Sequence, residues 1–401
     1  MVDDGLIQPG TPAYRRACLA LVLASLVVFA NLYAIHPLLP LIAQHYEVST
    51  LQAGNAFTIT SLTLGLSLLL HGPLSDAFGR KGPLLVGVAG AGMLSLAMAF
   101  TDSFAILLAL RAALGVALGV LPAIAVAYLG DTMSRTALVG AVGLYIGGNT
   151  LGGAGGRLFG GFVAEHLGLQ AVFICLGLAS LAGLVIVAAL LPAARSFRAQ
   201  PFSLAGSARG LIAHLRNPRL LPAFLLGGLN FMIFLNLYTF LAFRLSEAPW
   251  QLGSGALGLL FLTYLAGTLS ASLSGRVPVR SLLRGMTAGL ALLCTGTLML
   301  LSDNLWTILS GLLLNASGFF LTHSLTNTWV NRHAEFGKAS ASSLYSVFYY
   351  LGAACGLYYL DVFWRLGQWP YVIAGSLGVL IFNLLIIAYL GRLQRCAAGP
   401  F

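Results

Sequence analysis

Charge is what this 401-residue chain has least of. Only 8% of its residues are Asp, Glu, Lys or Arg, against about a quarter in ordinary soluble domains. Hydrophobic residues make up 58% of the chain, and its mean hydropathy is +0.91. So few polar side chains cannot clothe that much apolar surface in water, so lipid is the solvent. The same scarcity excludes a disordered chain and a nucleic-acid-binding domain, and the net charge of +10 becomes a matter of placement. Cysteine is sparse and scattered: Cys18, Cys175, Cys294, Cys355 and Cys396 form no metal spacing and no disulfide framework. Phosphate-loop, His-Glu-x-x-His and CxxC motifs are missing, and no apolar run pairs a nucleophile with a base. An enzyme, a bound metal and a cofactor are therefore not expected. The first 16 residues carry Asp3, Asp4, Pro9 and Pro12 without a small-residue cleavage site, so the first apolar run reads as an uncleaved span.

At roughly 20 residues per helical crossing, the length holds about twelve spans. Apolar runs punctuated by charge, Gly or Pro give 17–40, 53–72, 83–101, 104–129, 137–163 and 170–192 in the first half. The second half gives 220–244, 253–274, 282–301, 305–330, 339–361 and 370–391. The expected fold is an all-α membrane protein, with twelve transmembrane helices in two pseudo-symmetric six-helix bundles. Residues 1–192 form the first bundle, 193–219 a cytoplasmic central loop and 220–401 the second bundle. That loop carries Arg195, Arg198, Arg209, Arg216 and Arg219. With the N-terminus inside, 17 of the 21 basic residues fall in cytoplasmic segments and only Arg244 and Arg365 fall outside, which sets both termini in the cytoplasm.

The halves repeat at an offset near 200 residues. Asn31-Leu32-Tyr33 in span one recurs as Asn236-Leu237-Tyr238 in span seven. The run Leu151 to Gly156 in span five recurs as Leu351 to Gly356 in span eleven. Short matches placed in corresponding spans support a duplicated six-helix unit.

After span two comes Gly72-Pro73-Leu74-Ser75-Asp76-Ala77-Phe78-Gly79-Arg80-Lys81. It resembles the loop signature of the major facilitator superfamily: a glycine, an acid four residues on, then Gly-Arg-Lys. The resemblance implies that Asp76 docks on a helix end in the opposite half and that Arg80 pairs with an acid at the foot of span four, Asp131. Gly72, Asp76, Gly79, Arg80, Lys81 and Asp131 then form a gating loop. The corresponding loop of the second half, Gly275 to Arg280, keeps glycine and basic residues but lacks the acid. In span five, glycines 148, 152, 156 and 160 recur every fourth residue, a groove for close helix approach. This resembles the family's antiporter motif, with Arg157 where proline is expected. Arg111-Ala112-Ala113-Leu114-Gly115 resembles the fourth-span arginine motif of proton-coupled carriers, with Leu114 in place of the usual glutamine. Together with Gly143 to Asn149, these residues make the chain similar to the twelve-span drug:proton antiporter branch, and within it to the YnfM-like subgroup.

Arginine at membrane depth is costly unless it faces a wet cavity or a partner. At 1.5 Å per residue, Arg111 and Arg157 lie about 10 and 9 Å below the outer ends of spans four and five. Tyr33 and His36 share that level on one face of span one, and Asn236 and Tyr238 are comparably placed in span seven. No Asp or Glu falls well inside a span by this reading, so two arginines make a positive cavity that an anionic substrate would neutralise. Each arginine has a plainer alternative: Arg111 as a structural arginine bonded to helix carbonyls, Arg157 snorkelling to the outer interface. His36 and His323 are the candidates for proton transfer, and packing is the alternative for His36. The expected substrate and proton pathway is Asn31, Tyr33, His36, Arg111, Asn149, Arg157, Asn236, Tyr238 and His323.

The reading is a monomeric secondary carrier in the bacterial inner membrane, its partners a small-molecule substrate and the lipid bilayer, with no nucleic acid. A proton gradient supplies the energy for efflux of an organic anion. Import of an anionic metabolite by the same alternating-access cycle is the other reading.

Overall fold

The computed structural model describes residues 6–193 and 211–398. Arg195, Arg198 and Arg209 of the central loop, with Asp3 and Asp4, lie outside the described residues. Among those described there is no strand, only an isolated pairing of Ile7 with Met133. Among the described residues, eleven helices are long and apolar enough to cross a membrane. The last, Lys338–Ala398, is two spans joined at Gly367 and Gln368, where the backbone leaves helical geometry, so twelve spans result.

Spans one to six are Pro12–Tyr33, Thr50–Phe78, Lys81–Met98, Phe104–Thr132, Arg135–Leu167 and Leu169–Leu190. Span one does not run unbroken to residue 40. It stops at Tyr33, passes through a 3-10 turn at His36–Leu38 and resumes as Leu39–His45. Pro37 and Pro40 lack the N–H groups that a continuous helix needs there. Span two carries on through Gly72 and Pro73 to Phe78, so most of the expected loop is helical. Gly79, at φ 95° and ψ 169°, ends it in a conformation that only glycine adopts readily. Side chains cap the helix starts: Ser49 with Gln52 forms a capping box on span two, and Ser103 and Ser134 cap spans four and five.

Spans seven, nine and ten are Leu221–Ser246, Leu282–Met299 and Leu305–His333. Span eight is interrupted: Ser254–Leu259, a 3-10 turn Leu260–Thr263, then Tyr264–Ser274.

The chain divides into two compact units. The first holds residues 1–204 with 252–259, and the second holds 205–251 with 260–401. Within the first, span one packs on span five, two on four, and three on six. Within the second, span seven packs on the helix containing spans eleven and twelve, span nine packs there too, and eight packs on ten. The internal packing therefore repeats as the sequence does.

Candidate functional site

The glycine ladder of span five is filled by span one. A Cβ on Gly152 would meet the backbone of Ser25 and Leu26, one on Gly156 the Cα of Ala30, and one on Gly160 the carbonyl of Ala34. No side chain fits between the two helices along this line, so the backbones touch. The next face of span five holds Tyr145, Asn149, Gly153 and Arg157, each four residues apart and so stacked along the helix.

The break in span one decides the role of Arg111. A helix leaves its last four carbonyls without partners of its own. Arg111, 1% exposed, reaches across from span four and donates from Nη1 to the Asn31 carbonyl at 3.2 Å and from Nη2 to that of Leu32 at 3.4 Å. Its Nε donates to the carbonyl of Ala56 in span two at 2.7 Å. Arg111 thus ties spans one, two and four together. The expectation of two arginines lining one cavity is corrected here, because the donors of Arg111 are turned onto backbone oxygens.

Arg157 is placed differently. Its guanidinium carbon lies 3.9 Å from the centre of the Tyr33 ring, a cation–π contact. Nη1 also donates to the Gly153 carbonyl, one turn back, at 3.1 Å. Tyr33 stacks between Phe29 and Phe57, and His36 stacks on Phe57 with ring centres 4.8 Å apart. Arg157 is 2% exposed and His36 fully buried, so snorkelling to the interface does not describe Arg157. Spans one, two and five therefore assemble one cation, one imidazole and an aromatic wall. Phe57 was missed by the sequence reading, because an apolar residue in an apolar run carries no signal of its own. Asn149 stands two turns from Arg157, with its Oδ1 buried and lacking a hydrogen-bond partner among the described residues.

The remaining expected pathway residues divide between bracing and packing. Asn31 donates to the Val27 carbonyl and to Ser180, and accepts from Ser95 at 2.6 Å, which joins spans one, three and six. Asn236 donates to the carbonyls of Met232 and Ala353, both at 2.9 Å, and joins spans seven and eleven. These two asparagines hold helices together, each within its own unit. Tyr238 shares a 2.7 Å hydrogen bond with Thr263. His323 shares one of 2.8 Å with Tyr345 through Nδ1, inside an aromatic cluster with Phe319 and Tyr349.

At the foot of span two, Arg80 pairs with both acids: Nε lies 2.9 Å from Asp131 Oδ2, and Nη1 contacts Asp76 one turn back. Nη1 also bonds Ser75. Lys81 is not part of that pair. Its Nζ donates to the carbonyls of Ala188 and Leu191, capping the end of span six, where a cation suits the helix dipole. A Cβ on Gly72 would meet nothing within 4 Å. Beside the Asp131 turn, Ile7 exchanges backbone hydrogen bonds with Thr132 and Ser134, a tie that no sequence pattern announces.

Comparison with known proteins agrees with this architecture. Residues 21–357 match the model of the Major Facilitator Superfamily. The chain is 33% identical to the uncharacterized MFS-type transporter YybF of Bacillus subtilis (strain 168), across 98% of this chain and 97% of that one. It is 32% identical to the inner membrane transport protein YnfM of Escherichia coli (strain K12), across 97% and 93%. Among solved structures, a peptide transporter POT in complex with alafosfalin superposes with a TM-score of 0.78 at 13% identity, covering 94% of this chain and 95% of that one. The chain is a multi-pass membrane protein and belongs to the major facilitator superfamily of secondary transporters.

Proposed function

We propose that this carrier exports small organic anions, carboxylates foremost, across the bacterial inner membrane in exchange for protons. The observation that carries the reading is Arg157 at membrane depth, its guanidinium on the Tyr33 ring at 3.9 Å beside His36. A guanidinium offers paired donors to a carboxylate, and in a medium of low dielectric its field favours anions over bare cations. The faces of Tyr33 and Phe57 suit an apolar or aromatic body behind that carboxylate. His36 is the group whose ordinary pKa suits proton exchange.

Export is supported by the span-five glycine motif, which resembles that of antiporters. The basic residues argue for cytoplasmic termini, which places Asp76, Arg80 and Asp131 on the inner side. There Arg80 latches the inner gate while it is closed, and the bundles of residues 1–192 and 220–401 rock around the substrate without ATP. The protein works as a monomer in this scheme.

The test is uptake of radiolabelled aromatic and aliphatic carboxylates into everted membrane vesicles under an imposed pH gradient. Gradient-driven uptake that Arg157→Gln abolishes supports the reading. Uptake by intact cells with none in everted vesicles reverses the direction, and undiminished uptake by Arg157→Gln removes the anion site.

A further inference from the structure

We propose that the second unit carries a phosphate-binding pocket at the membrane boundary, occupied by the headgroup of an anionic phospholipid. The pocket lies where span seven begins and span ten ends, away from the Arg157 cluster in sequence and unit. It is a cavity of about 490 Å³ lined by Arg216, Arg219, Arg332 and His333, with Glu335 as its one acid.

The frame around these cations is fixed. Trp329 Nε1 donates to the Arg219 carbonyl at 3.1 Å, which fastens the turn before span seven to span ten. Asn217 Oδ1 accepts the Arg219 N–H at 2.9 Å and shapes that turn. His333 lies on Trp329 with ring centres 4.0 Å apart, and its Nδ1 donates to the Trp329 carbonyl. That bond puts the imidazole proton on Nδ1.

None of the three guanidiniums forms an ion pair among the described residues. Three like charges around one cavity repel, and a phosphate is the ligand that relieves them with charge-assisted hydrogen bonds. The place favours a lipid as its source. Span seven starts at Leu221 and span ten stops at His333, so the cations stand at the end of the hydrocarbon layer, where headgroup phosphates lie. Ile212 and Phe336, 49% and 53% exposed, flank the basic residues and give an acyl chain apolar surface beside the charge.

The test is native mass spectrometry of the purified full chain with phosphatidylglycerol and phosphatidylcholine supplied together. Wild type is expected to retain phosphatidylglycerol in preference, and the double variant Arg216→Gln/Arg332→Gln to lose that preference by roughly tenfold or more. Arg216→Lys/Arg332→Lys keeps the charge and retains part of it. Glu335→Gln removes the opposing charge without touching the frame, and is expected to bind roughly threefold tighter. Displacement of the lipid by excess inorganic phosphate would keep the phosphate chemistry and overturn the lipid as its source. Equal retention of both lipids by wild type, or retention unchanged in both the double glutamine variant and Glu335→Gln, overturns the proposal.

Discussion

The two units solve one packing problem alike and then diverge in what they bury. Gly152 meets the backbone of span one, and its repeat Gly352 meets the Gly228 backbone of span seven. Gly156 lies on Ala30, and Gly356 lies on Met232 and Asn236. One residue further along, Arg157 corresponds to Leu357, an apolar side chain that is fully buried. Tyr33 faces a guanidinium, whereas its counterpart Tyr238 bonds a threonine, stacks on Phe261 and meets Phe234 edge-on. The second unit is built around rings, including Phe231 on Tyr349 at 3.6 Å and Phe234 on Phe319 at 3.9 Å. The duplication thus preserves helix contact, while the position of Arg157 is charged in the first unit and apolar in the second. Position in the repeat sets the packing, and a single side chain sets the chemistry.

The steepest way to break this comparison is through the shared ladder. Gly352→Leu pushes a side chain into the Gly228 backbone, and Gly156→Leu into that of Ala30. Each is expected to cost about 3 kcal/mol or more and to abolish monodisperse protein in detergent, read by fluorescence-detected size exclusion. Gly155→Ala, whose Cβ meets nothing within 4 Å, is the matched control and leaves the profile unchanged.

The two arginines come next, because they separate stability from recognition. Arg111→Leu leaves three backbone carbonyls without its donors and is expected to destabilise the protein by roughly 3 kcal/mol, lowering the melting temperature with or without substrate. Arg157→Gln is expected to weaken binding of a carboxylate by tenfold or more while changing the melting temperature of the empty protein far less. A larger loss of intrinsic stability at 157 than at 111 would reverse the assignment of roles.

Much of this was legible in the sequence. The span number, the glycine groove and the repeat follow from residue type and spacing, since each is a local or periodic constraint, whereas the pairing of Arg80 with Asp131 came only from the resemblance to the family's loop signature. The fate of the polar residues inside the spans was not legible. Arg111 and Arg157 look alike in sequence, because a helix position does not say what the neighbouring helix offers. Arg111 finds carbonyls that the proline-broken end of span one provides; Arg157 finds the face of Tyr33. Asn31 and Asn236 looked like pathway residues for the same reason. Their partners, Ser95, Ser180 and the Ala353 carbonyl, lie on helices distant in the chain.

Smaller effects sharpen the comparison. Asn236→Ala removes a brace between spans seven and eleven and is expected to cost about 1 kcal/mol in a thermal melt, with carboxylate affinity unchanged. Asp131→Asn halves the charge opposite Arg80 and is expected to slow transport a few-fold while equilibrium binding stays as it was. A fall in binding equal to the fall in turnover would take Asp131 out of the gate.

The central claim is that one cation, Arg157, selects the cargo. A thermal-shift screen of purified wild type, Arg157→Gln and Arg157→Lys against matched carboxylate, amide and amine forms of one aromatic scaffold tests it directly. The account predicts stabilisation of wild type by the carboxylate alone, a reduced shift in Arg157→Lys and none in Arg157→Gln. Equal shifts from the amine, or a full carboxylate shift in Arg157→Gln, would contradict it.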